Sequence, residues 1–331
     1  MSITHFFLRQ LQPLYWVGDF FHRLLIKQKN VAAVVISVGN ISAGGTGKTP
    51  LVMKIASIAA DMKLSPAIVT RGYGAKNRNP RIIGKEESSL QAGDEIVQYK
   101  IKVPESRVIL SRDRFKGAEI AVREGSRAVL IDDGFQSREL GRDLDIVLLD
   151  ASADNIFRRE PMRSLKRADV IILSRTTTAG KEKTEELLRI IYRYALGKKI
   201  YKASERLTGM FYANEMTLEH VADFQELRSF SGFIAVSAIG NPKGFYSLLE
   251  SSGLCVIKKF QKQDHYRWNN TDIAGIMAFA NSKKMKVITT MKDYVKIREC
   301  SGFEGYVTDI EVIIENEADF NKTVFNVLSR Q

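Results

Sequence analysis

Short apolar runs alternate with stretches of helical periodicity after residue 31. Residues 31–38 read VAAVVISV, a run rich in β-branched residues that is typical of a strand buried on both faces. Residues 51–62, LVMKIASIAADM, instead repeat apolar positions at helical spacing. We predict strands at 31–38, 66–70, 107–110, 127–132, 144–149 and 169–174, and helices at 48–62, 91–100, 112–124 and 180–196. This alternation predicts an α/β fold with a parallel sheet covered by helices on both faces.

A second unit is predicted after residue 200. Residues 198–212, KKIYKASERLTGMFY, are predicted to form a ribbon that links two domains. Later strands are predicted at 233–242, 254–260, 285–290 and 306–314, with Pro242 opening a helix and a final helix at 317–329. We therefore expect a helical N-terminal segment at 1–30, a core domain at 31–200, a linker region at 201–230 and a smaller C-terminal α/β domain at 231–331.

A glycine-rich loop joins the first predicted strand to the first predicted helix. The stretch SVGNISAGGTGKTP, residues 37–50, ends as the G-x-x-x-x-G-K-[ST] phosphate loop does, but Ser42 occupies the position of its first glycine. In this context the backbone N–H groups and the helix dipole attract phosphate, Lys48 can reach the β and γ oxygens, and Thr49 can hold Mg²⁺. A plain strand-to-helix turn is the alternative, but it needs one glycine and has no use for Lys-Thr. The predicted nucleotide-binding residues are Ser42, Ala43, Gly44, Gly45, Thr46, Gly47, Lys48 and Thr49.

Two aspartates follow another predicted strand. In RAVLIDDGFQ, residues 127–136, the apolar run ends in Asp132 and Asp133. Carboxylates at this position hold Mg²⁺ in phosphate-loop enzymes, although an aspartate pair at a strand end is also common without any metal. Ligands of parallel α/β sheets bind at the carboxyl ends of the strands. Together with the glycine-rich loop, the pair favours a magnesium site.

The net charge of +12 indicates an anionic partner. Nucleic acid is disfavoured because no zinc-finger or RNA-binding sheet motif is visible. Residues 1–30 interleave aromatic, leucine and basic side chains, as helices that lie in a membrane interface do. A helix packed on the domain is the alternative for this segment, and the charge pattern favours an anionic membrane surface.

Several further motifs occur in a fixed order along the chain. They are TRGYG (70–74), GDE (93–95), DDGFQ (132–136), RDLDIVLLDA (142–151), REP (159–161), SLKRAD (164–169), DHY (264–266) and TTMKD (289–293). With the glycine-rich loop they resemble the tetraacyldisaccharide 4′-kinase family over nearly the entire chain. That family's loop also carries Ser or Thr at the position of Ser42, which accounts for the departure there. The family commonly has His where Ser137 stands and Glu where Met291 stands, so neither position is assigned a role.

The resemblance implies a phosphate-loop (P-loop NTPase-like) kinase that uses ATP and Mg²⁺. Its acceptor would be a tetraacyl disaccharide 1-phosphate, phosphorylated at the 4′-hydroxyl in lipid A biosynthesis. We expect a monomer that works at the cytoplasmic face of the bacterial inner membrane, as a peripheral or monotopic protein. From the residues alone, a helix cap is as good an interpretation of the GDE motif as a catalytic role, and His265 is about as well explained as a surface residue.

The resemblance also implies roles for individual residues. Asp94, assisted by His265, would accept the hydroxyl proton, with Lys48 and Asp133 completing the catalytic set. Thr49, Asp132, Asp133 and Glu95 would hold the metal. Arg71, Tyr73 and Gln136 would bind the substrate. Arg112 and Arg114 could contact a phosphate group or lie on a solvated helix face.

A switch-type ATPase of the partitioning and cluster-assembly group is the alternative function. Those proteins share GGTGKT but carry a special lysine where Ala43 stands here. A GTP-binding switch fits less well, because TTMKD differs from the N-K-x-D guanine motif in order and spacing.

Overall fold

The computed structural model describes residues 27–42, 46–72, 75, 79–84, 87–153, 159–215, 217–221 and 224–330. Its strands are β1 (Val34–Asn40), β2 (Ala67–Thr70), β3 (Arg81–Ile82), β4 (Arg107–Leu110), β5 (Ala128–Asp132), β6 (Leu144–Asp150), β7 (Val170–Ser174), β8 (Lys199–Ala213), β9 (Leu218–Val221), β10 (Phe233–Ser237), β11 (Val256–Gln261), β12 (Lys286–Thr290) and β13 (Gly305–Ile314). Its α-helices are α1 (Lys48–Asp61), α2 (Ser89–Ala92), α3 (Asp94–Lys102), α4 (Arg114–Arg123), α5 (Thr176–Ala179), α6 (Lys181–Tyr194), α7 (Pro242–Ser251), α8 (Asn270–Lys283), α9 (Met291–Ile297) and α10 (Glu317–Leu328). Two 3₁₀-helices span Met162–Arg167 and Phe224–Ser229.

The strands form one continuous sheet in the order β11-β10-β12-β13-β8-β7-β6-β1-β5-β2-β4-β3, with β9 paired to β8. In the first half, β1 lies between β5 and β6, and the pairs from β8 through β4 are parallel. In the second half, β10, β11, β12 and β13 are also parallel to one another. The predicted parallel α/β architecture is therefore confirmed.

Strand β8 connects the two parallel sets of strands, and it runs parallel to its neighbour in one set and antiparallel to its neighbour in the other. Its first residues pair in parallel with β7 up to Lys202, and the rest pairs antiparallel with β13. The carboxyl end of β7 therefore lies beside Lys202 of β8. The carboxyl end of β12 lies beside Thr308 of β13, and Thr308 in turn pairs with Met210 of β8. The ligand-binding edges of both parallel sets consequently face each other across the middle of β8, which creates a cleft.

Residues predicted as the start of a linker are thus part of the sheet. Residues 199–213 form one strand that hydrogen-bonds both halves, and 218–221 add a short strand to it. The division of the chain into separate domains stays a prediction. No helix in the described ranges is long and apolar enough to cross a membrane.

The C-terminal helix α10 packs in the same core as β1 and α1. Phe320 and Val324 are fully buried with Ile36 and Leu51, and Lys54 of α1 pairs with Glu317 at 2.5 Å. The chain therefore returns to its first half after completing the second. The local sequence pattern does not reveal this long-range packing.

The helix predicted at 91–100 is wrong in one respect, because two helices occupy the region. Ser88 caps α2 by accepting from the Gln91 backbone N–H, and Gly93 then separates α2 from α3 with φ of 102°. Glycine adopts this backbone conformation far more readily than other residues. As a result, Asp94 becomes the first residue of a new helix.

Candidate active site

The described part of the phosphate loop sits between β1 and α1, as predicted. Gly47 has φ of 81°, in the left-handed region that favours glycine, and Lys48 begins the helix. The Asn40 side-chain amide donates to Thr46 Oγ1 at 3.2 Å, which fixes the loop against the end of β1. Ser42 is buried. The predicted contributions of Ala43, Gly44 and Gly45 lie outside the described residues.

Lys48 and Asp133 form the electrostatic centre of the loop. Lys48 Nζ lies 3.3 Å from Asp133 Oδ1, and Arg159 Nη1 lies 2.7 Å from Asp133 Oδ2. Burial works against ionisation of Asp133, but the two cations outweigh it and lower its pKa to about 2. Asp133 also has a left-handed backbone, with φ of 53°. This carboxylate is therefore ionised and held directly beside the predicted phosphate-binding lysine.

Asp132 is buried at the end of β5, and its pKa shifts in the opposite direction to that of Asp133. Thr70 Oγ1 donates to its Oδ2 at 3.1 Å. Burial raises the pKa of Asp132, and the neighbouring Asp133 charge adds to the rise while Lys48 opposes it. Two carboxylates so close together repel each other unless a cation lies between or beside them.

Glu95 adds a third carboxyl group to this region. Burial, reinforced by the charge of Asp132, raises its pKa to about 7. Tyr99, one turn along the same helix, is fully buried, and its pKa is raised well above the ordinary value by burial and by Asp132. The charges of Asp132 and Lys48 both act on the Glu95 carboxyl group, so these three side chains lie close together.

The four predicted metal ligands supply hydroxyl and carboxylate oxygens, the donor set that Mg²⁺ prefers. Within the described residues, no group of three or more His, Cys, Asp or Glu side chains forms a ready-made metal cage. Mg²⁺ usually needs only one or two carboxylates together with substrate phosphates and water. The residues present therefore fit a metal that binds with a nucleotide.

Arg114 does not lie on a solvated helix face and cannot read a surface phosphate. It is 2% exposed, and its guanidinium donates to the carbonyl of Ser111 at 2.8 Å and to that of Asp132 at 2.6 Å. Burial lowers its pKa to about 10. Its place in the structure is beneath the Asp132–Asp133 turn, whose backbone it holds.

Asp94 and His265 come together from opposite halves of the chain. His265 Nδ1 lies 3.6 Å from Asp94 Oδ2, and Arg267 Nη2 lies 3.8 Å from Asp94 Oδ1. Asp94 is buried, whereas the side chain of His265 is 40% exposed. Among the described groups, Asp94 Oδ1 has no hydrogen-bond donor. Asp94 is the first residue of α3, and Gly93 rather than Asp94 occupies the N-cap position.

Contacts between α2, which directly precedes Gly93 and Asp94, and the second half of the chain help to hold this pair in place. Arg267 Nη1 donates to Ser89 Oγ at 2.7 Å, and the Ser89 backbone N–H donates to Glu299 at 2.6 Å. Lys292 Nζ lies 3.0 Å from Asp264, the residue before His265. Sequence reasoning missed Arg267 and Glu299, because each reaches Ser89 from far along the chain, and it missed Lys292, whose partner Asp264 lies on a separate loop of the second half.

One cleft of about 600 Å³ is lined both by the phosphate-loop residues and by His265, the partner of Asp94. Its walls combine the phosphate loop and carboxylates with the loops that follow β10, β11 and β12. Among the described residues, the lining includes Thr46, Gly47, Lys48, Thr49, Glu95, Asp132, Asp133, Arg159, Arg175, Glu205, Ile239, Phe245, Leu248, Asp264, His265, Met291, Lys292 and Asp309. Polar groups converge near Lys48, and apolar side chains line the end formed by α7.

The predicted substrate residues lie outside this lining or outside the described residues. Gln136 donates from its amide nitrogen to the Asn40 carbonyl at 2.8 Å, so it supports the end of β1. Arg71 is exposed after β2, and Tyr73 lies outside the described residues. Their substrate roles stay predictions. Arg159 was missed as a site residue, although the REP motif that carries it was visible in the sequence.

A model of the tetraacyldisaccharide-1-P 4′-kinase family matches residues 4–329. The chain belongs to this family. The tetraacyldisaccharide 4′-kinase of Halothermothrix orenii is similar, at 31% identity covering 98% of this chain and 92% of that protein. The enzyme of the same name from Syntrophus aciditrophicus is also 31% identical, covering 94% and 88%. These findings confirm the resemblance drawn from the motifs.

A solved structure extends the match to three dimensions. The crystal structure of LpxK from Aquifex aeolicus in complex with ATP aligns with a TM-score of 0.77 and 27% identity, covering 98% of this chain and 100% of that one. The predicted phosphate-loop kinase fold is thereby confirmed. As a member of the tetraacyldisaccharide 4′-kinases, the chain is a phosphotransferase of lipid A biosynthesis.

Proposed function

We propose that this kinase transfers the γ-phosphoryl group of ATP to the 4′-hydroxyl of a tetraacyl disaccharide 1-phosphate. The observation that carries the proposal is the shared cleft, which has Lys48 and Asp133 on one side and His265, paired with Asp94, on the other. The relatives named tetraacyldisaccharide 4′-kinase support the acceptor, and the ATP complex of LpxK supports the donor.

The donor side positions phosphate and neutralises its charge. Lys48 and the amides of the loop bind the phosphates, and Arg159 adds a second cation beside them. Thr49, Asp132, Asp133 and Glu95 would hold Mg²⁺, which when bound offsets negative charge on the phosphate oxygens. Arg114 keeps the Asp132 carbonyl in place from below. Because Asp133 now pairs with Lys48, nucleotide binding must redistribute these ion pairs.

The acceptor side removes a proton. The 4′-oxygen forms a bond to the γ-phosphorus while the bond from phosphorus to the β–γ bridging oxygen breaks, and ADP leaves. Asp94 takes the hydroxyl proton late in this step, when the oxygen is already bonding to phosphorus. His265 orients the Asp94 carboxylate and stabilises the proton on it. The 3.6 Å separation of the two side chains shortens to a hydrogen bond when the acceptor is bound.

The membrane-facing part of the proposal rests on charge and composition. The lipid acceptor, the net charge of +12 and the aromatic, basic segment at 1–30 all suit an anionic bilayer. Residues 1–26 of that segment lie outside the described residues. We place the enzyme at the cytoplasmic face of the bacterial inner membrane as a peripheral or monotopic monomer. Closure of the core domain on the smaller C-terminal domain would bring the acceptor to Asp94.

Product analysis tests the proposed acceptor position. The purified enzyme is incubated with ATP, Mg²⁺ and the disaccharide, and the product is examined by mass spectrometry. We expect one added phosphate on the distal sugar, and no product from a 4′-deoxy acceptor. Phosphorylation of the 4′-deoxy acceptor would overturn the assignment of the hydroxyl. The switch-type ATPase is not favoured, because Ala43 replaces its special lysine.

A further inference from the structure

A buried carboxylate beneath the second half of the cleft has no part in the chemistry described so far. Asp293, the last residue of the TTMKD motif, is fully buried in α9, together with Lys296 one turn later. Their side chains form an ion pair of 3.0 Å with essentially no solvent contact. A buried pair of this kind costs desolvation energy and often adds little stability over apolar packing. Its presence therefore calls for another explanation.

Four donors from three separate segments converge on the Asp293 carboxylate. Its Oδ2 accepts from the Ala238 backbone N–H and from Thr290 Oγ1, both at 2.9 Å. Its Oδ1 accepts from Trp268 Nε1 at 3.2 Å and from Lys296. The two oxygens together offer about four acceptor sites, so the carboxylate is fully satisfied. We call Ala238, Trp268, Thr290, Asp293 and Lys296 the Asp293 cluster.

Each segment held by the cluster continues directly into the cleft. Ala238 precedes Ile239 and Gly240, and Thr290 caps the helix that presents Met291 and Lys292. Trp268 ends the DHYRW stretch, which carries His265 and Arg267 beside Asp94. Lys296 Nζ also donates to the Ala238 carbonyl at 3.3 Å, so both polar groups of that peptide backbone are bound within the cluster. One ion pair thus ties together the loops that follow β10, β11 and β12.

The backbone of His265 shows why such an anchor matters. Its φ of 63° lies in the left-handed region, which is unfavourable for a residue other than glycine and persists where the surroundings over-determine it. The surrounding bonds include Trp268 to Asp293 and Arg267 to Ser89 on one side, and Lys292 to Asp264 on the other. Tyr266, which packs edge-on against Trp268 at 5.4 Å, adds a bond to Asp272.

We propose that Asp293 is a positioning residue for phosphoryl transfer, which holds His265 opposite Asp94 through the indole N–H of Trp268. The inference rests on the proposed role of His265. In this proposal the buried Asp293–Lys296 pair positions three loops of the cleft, in addition to any contribution to the stability of the fold. Loss of the Trp268 bond should release the stretch that carries His265 while the phosphate loop stays as it is.

Trp268→Phe tests the proposal with little risk to the fold. The variant keeps an aromatic ring against Tyr266 and removes the donor to Asp293, although the smaller ring also reduces the volume of a buried side chain. Tyr212→Phe is the matched control, because it also removes an aromatic donor to a carboxylate, that of Glu304, at a site outside the cleft lining. Melting temperatures of both variants establish that they are folded.

Amide hydrogen exchange is the first readout. We expect residues 263–268 to exchange about tenfold faster in Trp268→Phe, with no change in the β1–α1 region and none in Tyr212→Phe. Unchanged exchange across 263–268 would overturn the anchoring by Asp293, whatever happens to activity. This readout does not depend on the reaction, so it separates a failure of this inference from a failure of the proposed function.

Steady-state kinetics is the second readout. We expect Trp268→Phe to lower kcat about tenfold with the KM for ATP within about twofold, because only the acceptor side loses its geometry. In a His265→Ala background the same substitution should have almost no further effect on kcat. A full tenfold loss in that background, or a loss confined to the KM for ATP, would overturn the claim that Asp293 acts through His265.

Discussion

His265 Nδ1 lies 3.6 Å from Asp94 Oδ2, although the two residues belong to opposite halves of the chain and only Asp94 is buried. The distance is too long for a hydrogen bond and short enough for one to form after a small movement. The pair is therefore poised at the cleft rather than locked together. Its chemical role is open to direct measurement.

Substitution of the pair should reveal a single functional unit. We expect Asp94→Ala and His265→Ala each to lower kcat by a factor of about 10² or more, with little change in the KM for ATP, because the phosphate loop still positions the nucleotide. The double variant should lose far less than the product of the two single losses. Multiplicative losses would mean that the two side chains act independently, and His265 would then be a substrate contact.

Removal of the loop lysine should abolish transfer and leave the fold intact. We expect Lys48→Ala to lower kcat by a factor of about 10³, since a preorganised cation at the phosphates contributes several kcal/mol to transition-state stabilisation. Lys54→Ala is the matched control, because Lys54 lies on the same helix and pairs with Glu317 instead. Near-normal kcat of Lys48→Ala at saturating ATP would contradict the phosphate-loop assignment.

Glu95 should make the stability of the ligand-free enzyme depend on pH. Its pKa is raised from 4.5 to about 7 in the folded state, so the folded protein holds an extra proton between these values. The free energy of unfolding should therefore fall as pH rises from about 4.5 to about 7, by at most about 3 kcal/mol. The loss is complete above the folded pKa. Thermal melts of the parent and Glu95→Gln from pH 5 to pH 8, without Mg²⁺, measure the pH-dependent part of the stability that Glu95 contributes.

The two melting profiles should converge at low pH and separate at high pH, with Glu95→Gln the more stable at pH 8. Parallel profiles would show that Glu95 does not carry the raised pKa. Because Mg²⁺ favours the ionised carboxylate, nucleotide with Mg²⁺ should also bind more weakly to the parent at pH 6 than at pH 8. Glu95→Gln should reduce that difference.

Deletion of the N-terminal segment should weaken membrane association. The cut belongs before residue 27, since the Lys29 backbone N–H donates to the Glu139 carbonyl at 2.7 Å and its carbonyl accepts from Gly141. We expect the protein lacking residues 1–26 to float less with anionic vesicles and to show a higher apparent KM for the lipid acceptor. Equal flotation of the full-length and shortened proteins would favour a helix that packs on the domain.

The sequence predicted the first half of the sheet because its strands are short apolar runs with little local ambiguity. Strands at 107–110 and 144–149 differ from the structure by at most one residue. The phosphate loop was recognisable because its function depends on consecutive residues. The break at Gly93 was missed, because apolar periodicity continues across it and only the backbone conformation of the glycine reveals it.

Long-range contacts set the limit of prediction from the sequence. The proximity of Asp94 to His265 was expected only through the family resemblance. The burial of Arg114 beneath Asp132 and the packing of α10 beside α1 depend on which elements meet in space. The Asp293 cluster unites three segments that share no local pattern. The meeting of Asp94 and His265 in particular depends on the topology around β8, which turns the two ligand-binding edges toward each other.

The proposed kinase activity is measured by following labelled phosphate from ATP into the lipid disaccharide, beside the release of free phosphate. We expect the parent enzyme to label the disaccharide in the presence of Mg²⁺, hydrolysis without acceptor to be slow, and Asp94→Ala to lose the transfer. Rapid hydrolysis at the same rate with and without acceptor, and with no labelled lipid, would exclude the proposed transfer and favour a switch-type ATPase.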